Sequence, residues 1–118
     1  SMAARRNIYE TCLKHQKDVA LAIELRMDGV IVIVHAFDPC DEEHQRRWES
    51  YWYSDGEAVN QTLGCAGPTL VLQCASMCSD LATLQLMRFV AQRAGKGEGP
   101  WNQVRLNLQT MELKAYRW

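Results

Sequence analysis

The chain has 118 residues, which fits one domain, and its 47% hydrophobic and 23% charged residues are ordinary for a globular protein. Its formal net charge of −1 excludes a general electrostatic attraction to nucleic acid or anionic lipid. The longest apolar run, residues 30–34, is too short to cross a membrane. We therefore expect one soluble domain over residues 3–118, with Ser1-Met2 as a remnant of expression.

The cysteines predict a reducing environment. There are five of them, Cys12, Cys40, Cys65, Cys74 and Cys78. An odd number without a readable disulfide framework is typical of free thiols in a chain that can build its own core. We expect five free thiols and a location in the cytoplasm or nucleus.

The first third of the chain predicts a helix followed by a β-hairpin. Residues 4–17 place apolar side chains at four-residue spacing, as in an amphipathic helix. Residues 19–26 alternate apolar and polar side chains, and residues 30–37 are a β-branched run, both of which are typical of strands. Because Asp28-Gly29 is a strong hairpin turn, we expect these two strands to pair, with 30–37 as a central strand covered on both faces.

The middle of the chain predicts three more strands. Residues 39–45 are interpreted as an acidic loop or a single helical turn. Residues 47–53 then alternate aromatic side chains between two faces, and a turn leads to a return strand over 57–63. A further apolar strand is expected over 69–74.

A second helix is predicted over residues 79–94, with Ser79 as its N-cap and Gly95 as its C-terminal stop. Its polar positions form one narrow strip, and most of the remaining circumference is apolar: Leu84, Leu86, Met87, Phe89, Val90, Ala91 and Ala94. An ordinary surface helix has a narrower apolar stripe, so one sheet face cannot cover this helix.

The final strand is predicted over residues 104–115. Its alternation changes phase at Thr110, which predicts a bulge or bend there and both Leu108 and Leu113 on the core side. The resulting order is α-β-β-β-β-β-α-β. We therefore expect the α+β class: a largely antiparallel sheet of five or six strands with an N-terminal helix and a second helix before the last strand.

Three residues invite a metal or catalytic interpretation: His35, Cys40 and His44. The paired ligand spacings of zinc sites are absent, and no base, orienting group or oxyanion site accompanies the thiol as a motif. The acidic residues 38–43 lack the calcium-loop pattern, and the glycines of 95–99 follow a helix instead of preceding one. We predict no metal and no cofactor, and keep a small Cys/His-dependent enzyme as a second alternative.

One stretch carries a family resemblance. Residues 23–29, Ile-Glu-Leu-Arg-Met-Asp-Gly, together with 35–38, His-Ala-Phe-Asp, resemble the first motif of Sm-like RNA-binding proteins. That family usually has a glycine inside the second strand, where this chain has Val32 and Ile33, and an asparagine after the Phe-Asp pair, where this chain has acidic residues. The resemblance implies an RNA-binding module, which is the first alternative.

The sequence favours a non-enzymatic protein-interaction domain, a subunit or adaptor of an intracellular assembly. The wide apolar helix and the aromatic segment offer more apolar surface than the chain needs to hide. We expect a protein partner or a homodimer, no membrane, and no nucleic-acid partner. The predicted partner-binding residues are Leu86, Phe89, Val90, Trp48 and Trp52.

Overall fold

Three helices and four strands make up the described part of the chain. The computed structural model describes residues 1–28, 30–53 and 68–118. In chain order the elements are α1 (Met2–Ile8), a π-helical turn (Tyr9–Leu13), β1 (Ala22–Asp28), β2 (Ile31–Phe37), α2 (Glu42–Glu49), α3 (Pro68–Arg93), β3 (Gln103–Asn107) and β4 (Glu112–Tyr116). They fall into two compact units, one with described residues 1–22, 37–53 and 118, the other with 23–28, 30–36 and 68–117.

The strands form one antiparallel sheet in the order β1-β2-β3-β4. β2 is a central strand, with Val34 opposite Val104 and His35 opposite Gln103 on β3. The hairpin predicted from 19–26 and 30–37 is therefore confirmed. Alternate strand residues pack against α3, and the core of the second unit contains five buried side chains: Val32, Val34, Cys74, Cys78 and Leu106.

An aromatic cluster forms the core of the first unit. Tyr9 in the π-helical turn, Phe37 at the end of β2 and Trp48 in α2 are each at most 2% exposed. Ring centroids lie 4.7 Å apart for Tyr9 and Trp48, and 5.3 Å apart for Phe37 and Trp48. Trp52 and Trp118 pack against the same cluster. Because aromatic side chains bury large apolar areas, this cluster dominates the packing of the first unit.

The strand predicted over 47–53 is wrong, because its first half belongs to α2. The Asp41 carboxylate accepts a hydrogen bond from the backbone N–H of His44 at 3.0 Å and so caps the helix. Two glutamates follow in the first turn, where the helix dipole favours negative charge. The spacing of Trp48 and Trp52 fits one face of a helix as well as one face of a strand, so the aromatic pattern was ambiguous.

The strand predicted over 69–74 is also wrong, because α3 runs through it. Proline is well tolerated in the first turn of a helix, where its missing N–H costs no hydrogen bond, and α3 begins at Pro68. Ser79 therefore lies inside the helix instead of capping it. Residues 75–78, Ala-Ser-Met-Cys, contain neither glycine nor proline, so nothing ends the helical hydrogen bonding between the two predicted elements. The C-terminal stop is confirmed, since Gly95 has a φ of +77°.

The single strand predicted over 104–115 is a hairpin of β3 and β4. The chain reverses between them, where Met111 has a φ of 58° and the Asn107 side chain accepts two backbone N–H groups of the turn. Leu108 packs against the core as predicted. Leu113 is 57% exposed, so its predicted core position is wrong. The phase change thus marks a reversal of the chain.

The α+β class is confirmed, but the predicted architecture is wrong. In the described ranges the sheet has four strands instead of five or six, and the long helix lies between β2 and β3. Two strands follow that helix, whereas the prediction allowed one. The return strand predicted over 57–63 lies outside the described residues, and the domain boundary of 3–118 stays a prediction.

Candidate functional site

The polar strip of α3, which comprises Gln85, Arg88 and Gln92, forms hydrogen bonds to the loop that precedes β3. Gln85 is 1% exposed, and its Oε1 accepts a hydrogen bond from the backbone N–H of Trp101 at 2.7 Å. Two further side chains donate to backbone oxygens of the same loop: Arg88 to Gly99 at 2.8 Å and Gln92 to Glu98 at 3.3 Å. The strip therefore holds the helix against the segment that leads into β3.

The opposite side of α3 exposes large apolar side chains. The exposed fraction is 75% for Leu72, 48% for Leu86, 64% for Met87 and 58% for Val90. At 3.6 residues per turn, these four lie within an arc of about 100°. Three small exposed residues share the arc and complete what we call the outer face: Leu72, Ser76, Ser79, Thr83, Leu86, Met87 and Val90. Exposed large apolar side chains gathered on one face of a helix often mark an interaction site.

The predicted partner-binding residues of α3 have different environments. Leu86 and Val90 belong to the outer face, whereas Phe89 is half-buried, with the Arg93 guanidinium 5.2 Å from its ring centroid. The sequence interpretation omitted Leu72, because it assigned that residue to a strand. The absence of glycine and proline between 69 and 78 was the signal that would have placed Leu72 on the helix.

The two tryptophans predicted to bind a partner belong to the first unit. Trp48 is 2% exposed, and Trp52 is half-buried with the Arg6 guanidinium 4.4 Å from its ring centroid. Their roles in partner binding stay predictions, and the outer face alone is the candidate site.

A buried polar network contains His35. Its Nδ1 lies 2.9 Å from Glu24 Oε2, its Nε2 lies 3.0 Å from the Gln103 amide nitrogen, and Arg26 Nε lies 2.7 Å from Glu24 Oε1. Because the amide donates, His35 Nε2 accepts and Nδ1–H donates to Glu24, which is the neutral tautomer. Both ring nitrogens are thereby hydrogen-bonded to buried or partly buried side chains of the sheet.

Burial sets the protonation states of this network. It lowers the pKa of His35, while the hydrogen bond to Glu24 opposes it. For Glu24, burial acts to raise the pKa, but the hydrogen bonds from His35 and Arg26 outweigh it and lower the pKa. A neutral histidine and an ionised glutamate therefore stabilise each other, and the network has a structural role.

The other residues considered for catalysis or metal binding, Cys40 and His44, form hydrogen bonds to backbone groups. The Cys40 thiol donates to the carbonyl of Gln16 at 2.9 Å, and His44 Nδ1 accepts the backbone N–H of Asp38 at 3.0 Å. Burial raises the pKa of the Cys78 thiol, which disfavours the reactive thiolate. In the part of the chain that the structure describes, no group of three His, Cys, Asp or Glu residues is arranged to hold a metal ion.

Comparison with protein-family models, curated proteins and solved structures finds no match for this chain. None of the helices among the described residues has both the length and the apolarity that a membrane span requires. The functional conclusion therefore depends on the outer face and its chemistry.

Proposed function

We propose that this chain is a non-enzymatic protein-interaction domain, a subunit or adaptor of an intracellular assembly, and that a protein partner docks on the outer face of α3. The observation that carries the proposal is the orientation of the helix. The polar side chains Gln85, Arg88 and Gln92 bond to the loop that precedes β3, while Leu86, Met87 and Val90 are exposed to water.

The energy available from covering this face supports a specific contact. Full burial of a Leu, Val or Met side chain contributes about 1.5–3 kcal/mol. Leu72, Leu86, Met87 and Val90 retain roughly half or more of their exposure. Each therefore contributes about 1 kcal/mol when a partner covers it, which is enough for association but not for irreversible assembly.

The charge of the helix favours a protein partner over nucleic acid or an anionic membrane. Among the exposed residues of α3 between 72 and 93, the charged ones are Asp80 and Arg93, which carry opposite charges. Nucleic-acid binding depends on clustered Lys and Arg that neutralise phosphates. A nearly neutral apolar face matches the buried centre of a protein interface instead.

The placement in the cytoplasm or nucleus is part of the same proposal. Cys12 and Cys40 are exposed free thiols, which persist most readily in reducing compartments.

Site-specific photo-crosslinking tests the proposal. A benzoylphenylalanine at Met87 is expected to form adducts with a partner protein in cells of the native source, and the same residue at Gln109, an exposed position in the β3–β4 turn, is expected to form none. Adding Leu86→Glu to the Met87 probe should abolish the adducts, because it places an uncompensated charge in the contact. Absence of adducts from position 87, or adducts that survive Leu86→Glu, would refute the docking surface.

A further inference from the structure

The outer face has the spacing of a helix-pairing seam. Six of its exposed residues follow each other at intervals of four, three, four, three and four: Leu72, Ser76, Ser79, Thr83, Leu86 and Val90. This is the a/d spacing by which two helices pack along their length. Met87 lies beside the seam and is 64% exposed.

The order of large and small residues along the seam is self-complementary. We infer that the partner is a second copy of this chain, and that the two α3 helices pair antiparallel about a two-fold axis at the level of residue 81. In this register Leu72 of one copy faces Val90 of the second copy. The two-fold axis generates the same contact at the other end of the helix pair, where Val90 of the first copy faces Leu72 of the second. Leu86 faces the small Ser76, so a large side chain meets a gap on the opposite helix.

The polar centre of the seam is compatible with burial. The Thr83 hydroxyl donates to the carbonyl of Ser79 within α3 at 2.9 Å, so its hydrogen bond is satisfied before association. Serine hydroxyls within a helix form the same kind of bond to the preceding turn. Ser76 and Ser79 therefore permit close approach of the two helices at little cost in lost hydrogen bonds.

A parallel pair fits this sequence less well. It would place Ser76 against Ser76 and Ser79 against Ser79, with Leu72 and Leu86 each against its own copy. Each pair of facing residues forms one layer of the interface. If some layers hold two leucines and others two serines, the serine layers leave gaps, because the two helices pack at a nearly constant distance. The antiparallel arrangement makes the layers more equal and also opposes the two helix dipoles favourably.

The surface area that the seam buries determines how tightly the two copies are expected to bind each other. From Leu72 to Val90 the seam is about 27 Å long at 1.5 Å per residue. Its exposed apolar side chains and the small residues between them bury on the order of 1,200 Å² in total over both copies, the lower limit for specific interfaces. Asp80 of each copy lies beside the axis, where the like charges weaken the pair further. We therefore expect a reversible dimer with a Kd on the order of 10 µM.

Sedimentation equilibrium of the purified chain tests the dimer, which rests on the proposed function of the outer face. Between about 1 and 500 µM, the wild type and the control Gln109→Glu should show the same monomer–dimer equilibrium. Leu86→Glu should raise the dimer Kd about 100-fold or more, because it buries a charge opposite Ser76. Circular dichroism and the thermal unfolding midpoint of the monomer should show that Leu86→Glu remains folded, since Leu86 is 48% exposed.

Mixing two charged variants tests the register. Leu72→Lys and Val90→Glu should each weaken self-association, and an equimolar mixture should form a heterodimer more tightly than either variant forms a homodimer. This follows because the proposed layer brings position 72 to position 90 of the other copy. If the mixture associates no better than its components, the antiparallel register is wrong.

The outcomes separate the dimer from the docking function. A wild type that stays monomeric at the highest concentration, with adducts to a different protein from position 87, overturns the second copy and leaves the docking surface intact. A monomer without any intermolecular adduct refutes both. A dimer unaffected by Leu86→Glu places the self-contact elsewhere and overturns the inference.

Discussion

Replacing His35 by leucine should destabilise the protein more at neutral than at acidic pH. His35 is 1% exposed and joins Glu24 at 2.9 Å and Gln103 at 3.0 Å. Leucine fills the space but removes both hydrogen bonds. Glu24 retains its contact with Arg26, whereas the Gln103 amide loses its histidine acceptor. An unsatisfied buried donor costs about 1–3 kcal/mol and a hydrogen bond to a charged group contributes about 1.5–3 kcal/mol, so we expect a loss of about 2.5–6 kcal/mol at pH 7.5.

The sign of the pH dependence follows from the lowered pKa of His35. In the unfolded chain a histidine takes up a proton near its ordinary pKa of 6.5, while burial keeps His35 neutral in the folded protein. As the pH falls below 6.5, the unfolded wild type binds more protons than the folded wild type, and its free energy of unfolding decreases. The leucine variant lacks this titration. The stability difference between the two proteins should therefore shrink between pH 7.5 and pH 5.5.

Urea unfolding followed by circular dichroism at the two pH values measures this difference. In the wild type Glu24 stays ionised in this window, because the hydrogen bonds from His35 and Arg26 lower its pKa from 4.5. His15→Leu is the matched control, since it removes an exposed histidine that lies outside the network. A stability difference for His35→Leu that is constant or larger at pH 5.5 would show that His35 is not held neutral by burial.

Four further substitutions probe the packing, each measured by urea unfolding. Gln85→Leu should cost about 1–3 kcal/mol, because the Trp101 N–H loses its acceptor; a neutral effect would show that this hydrogen bond does not hold the loop. Gly99→Ala and Gly95→Ala should each cost about 1–2 kcal/mol, because both glycines have the left-handed φ that a Cβ disfavours. A Cβ at position 99 also meets the Gln92 amide, but this amide ends a flexible, exposed side chain that moves aside at little cost; a much larger loss at position 99 than at position 95 would show that Gln92 is held in place. Trp48→Ala should cost about 3–5 kcal/mol, since the ring is 2% exposed, and a loss below 1 kcal/mol would refute a dominant aromatic core.

The sequence predicted the elements with an unambiguous period and misread those whose period fits two structures. The hairpin of β1 and β2 was predicted from strict alternation, a β-branched run and the Asp-Gly dipeptide between them, which favours a turn. The segment after Pro39 has aromatic residues four apart, which a helix and a strand both accommodate. The Asp41 side chain caps the first turn and so favours a helix over a strand. A single hydrogen bond between a side chain and a nearby backbone N–H leaves little trace in the amino-acid composition.

The candidate site was only partly predictable, because its orientation depends on tertiary contacts. The excess of apolar residues on α3 is evident in the sequence, and Leu86 and Val90 were identified from it. Which side of the helix faces inward depends on whether buried backbone N–H and C=O groups in other segments need hydrogen-bond partners from it. The Trp101 N–H requires an acceptor, and Gln85 supplies it from the helix. The periodicity of apolar residues along the helix does not reveal this hydrogen bond.

The inward polar strip explains how a helix with so much apolar surface keeps a defined orientation. An apolar contact alone is non-directional, so a helix that is apolar on most sides has many rotations of similar energy. Gln85 and Arg88 restrict the rotation, because their hydrogen bonds to Trp101 and Gly99 form at one angle only. The sheet core at Cys74 and Cys78 then contributes the burial energy without having to specify the face. Leu86, Met87 and Val90 contribute little to this orientation, because each keeps about half or more of its exposure; their hydrophobicity therefore supports the proposal that they bind a partner.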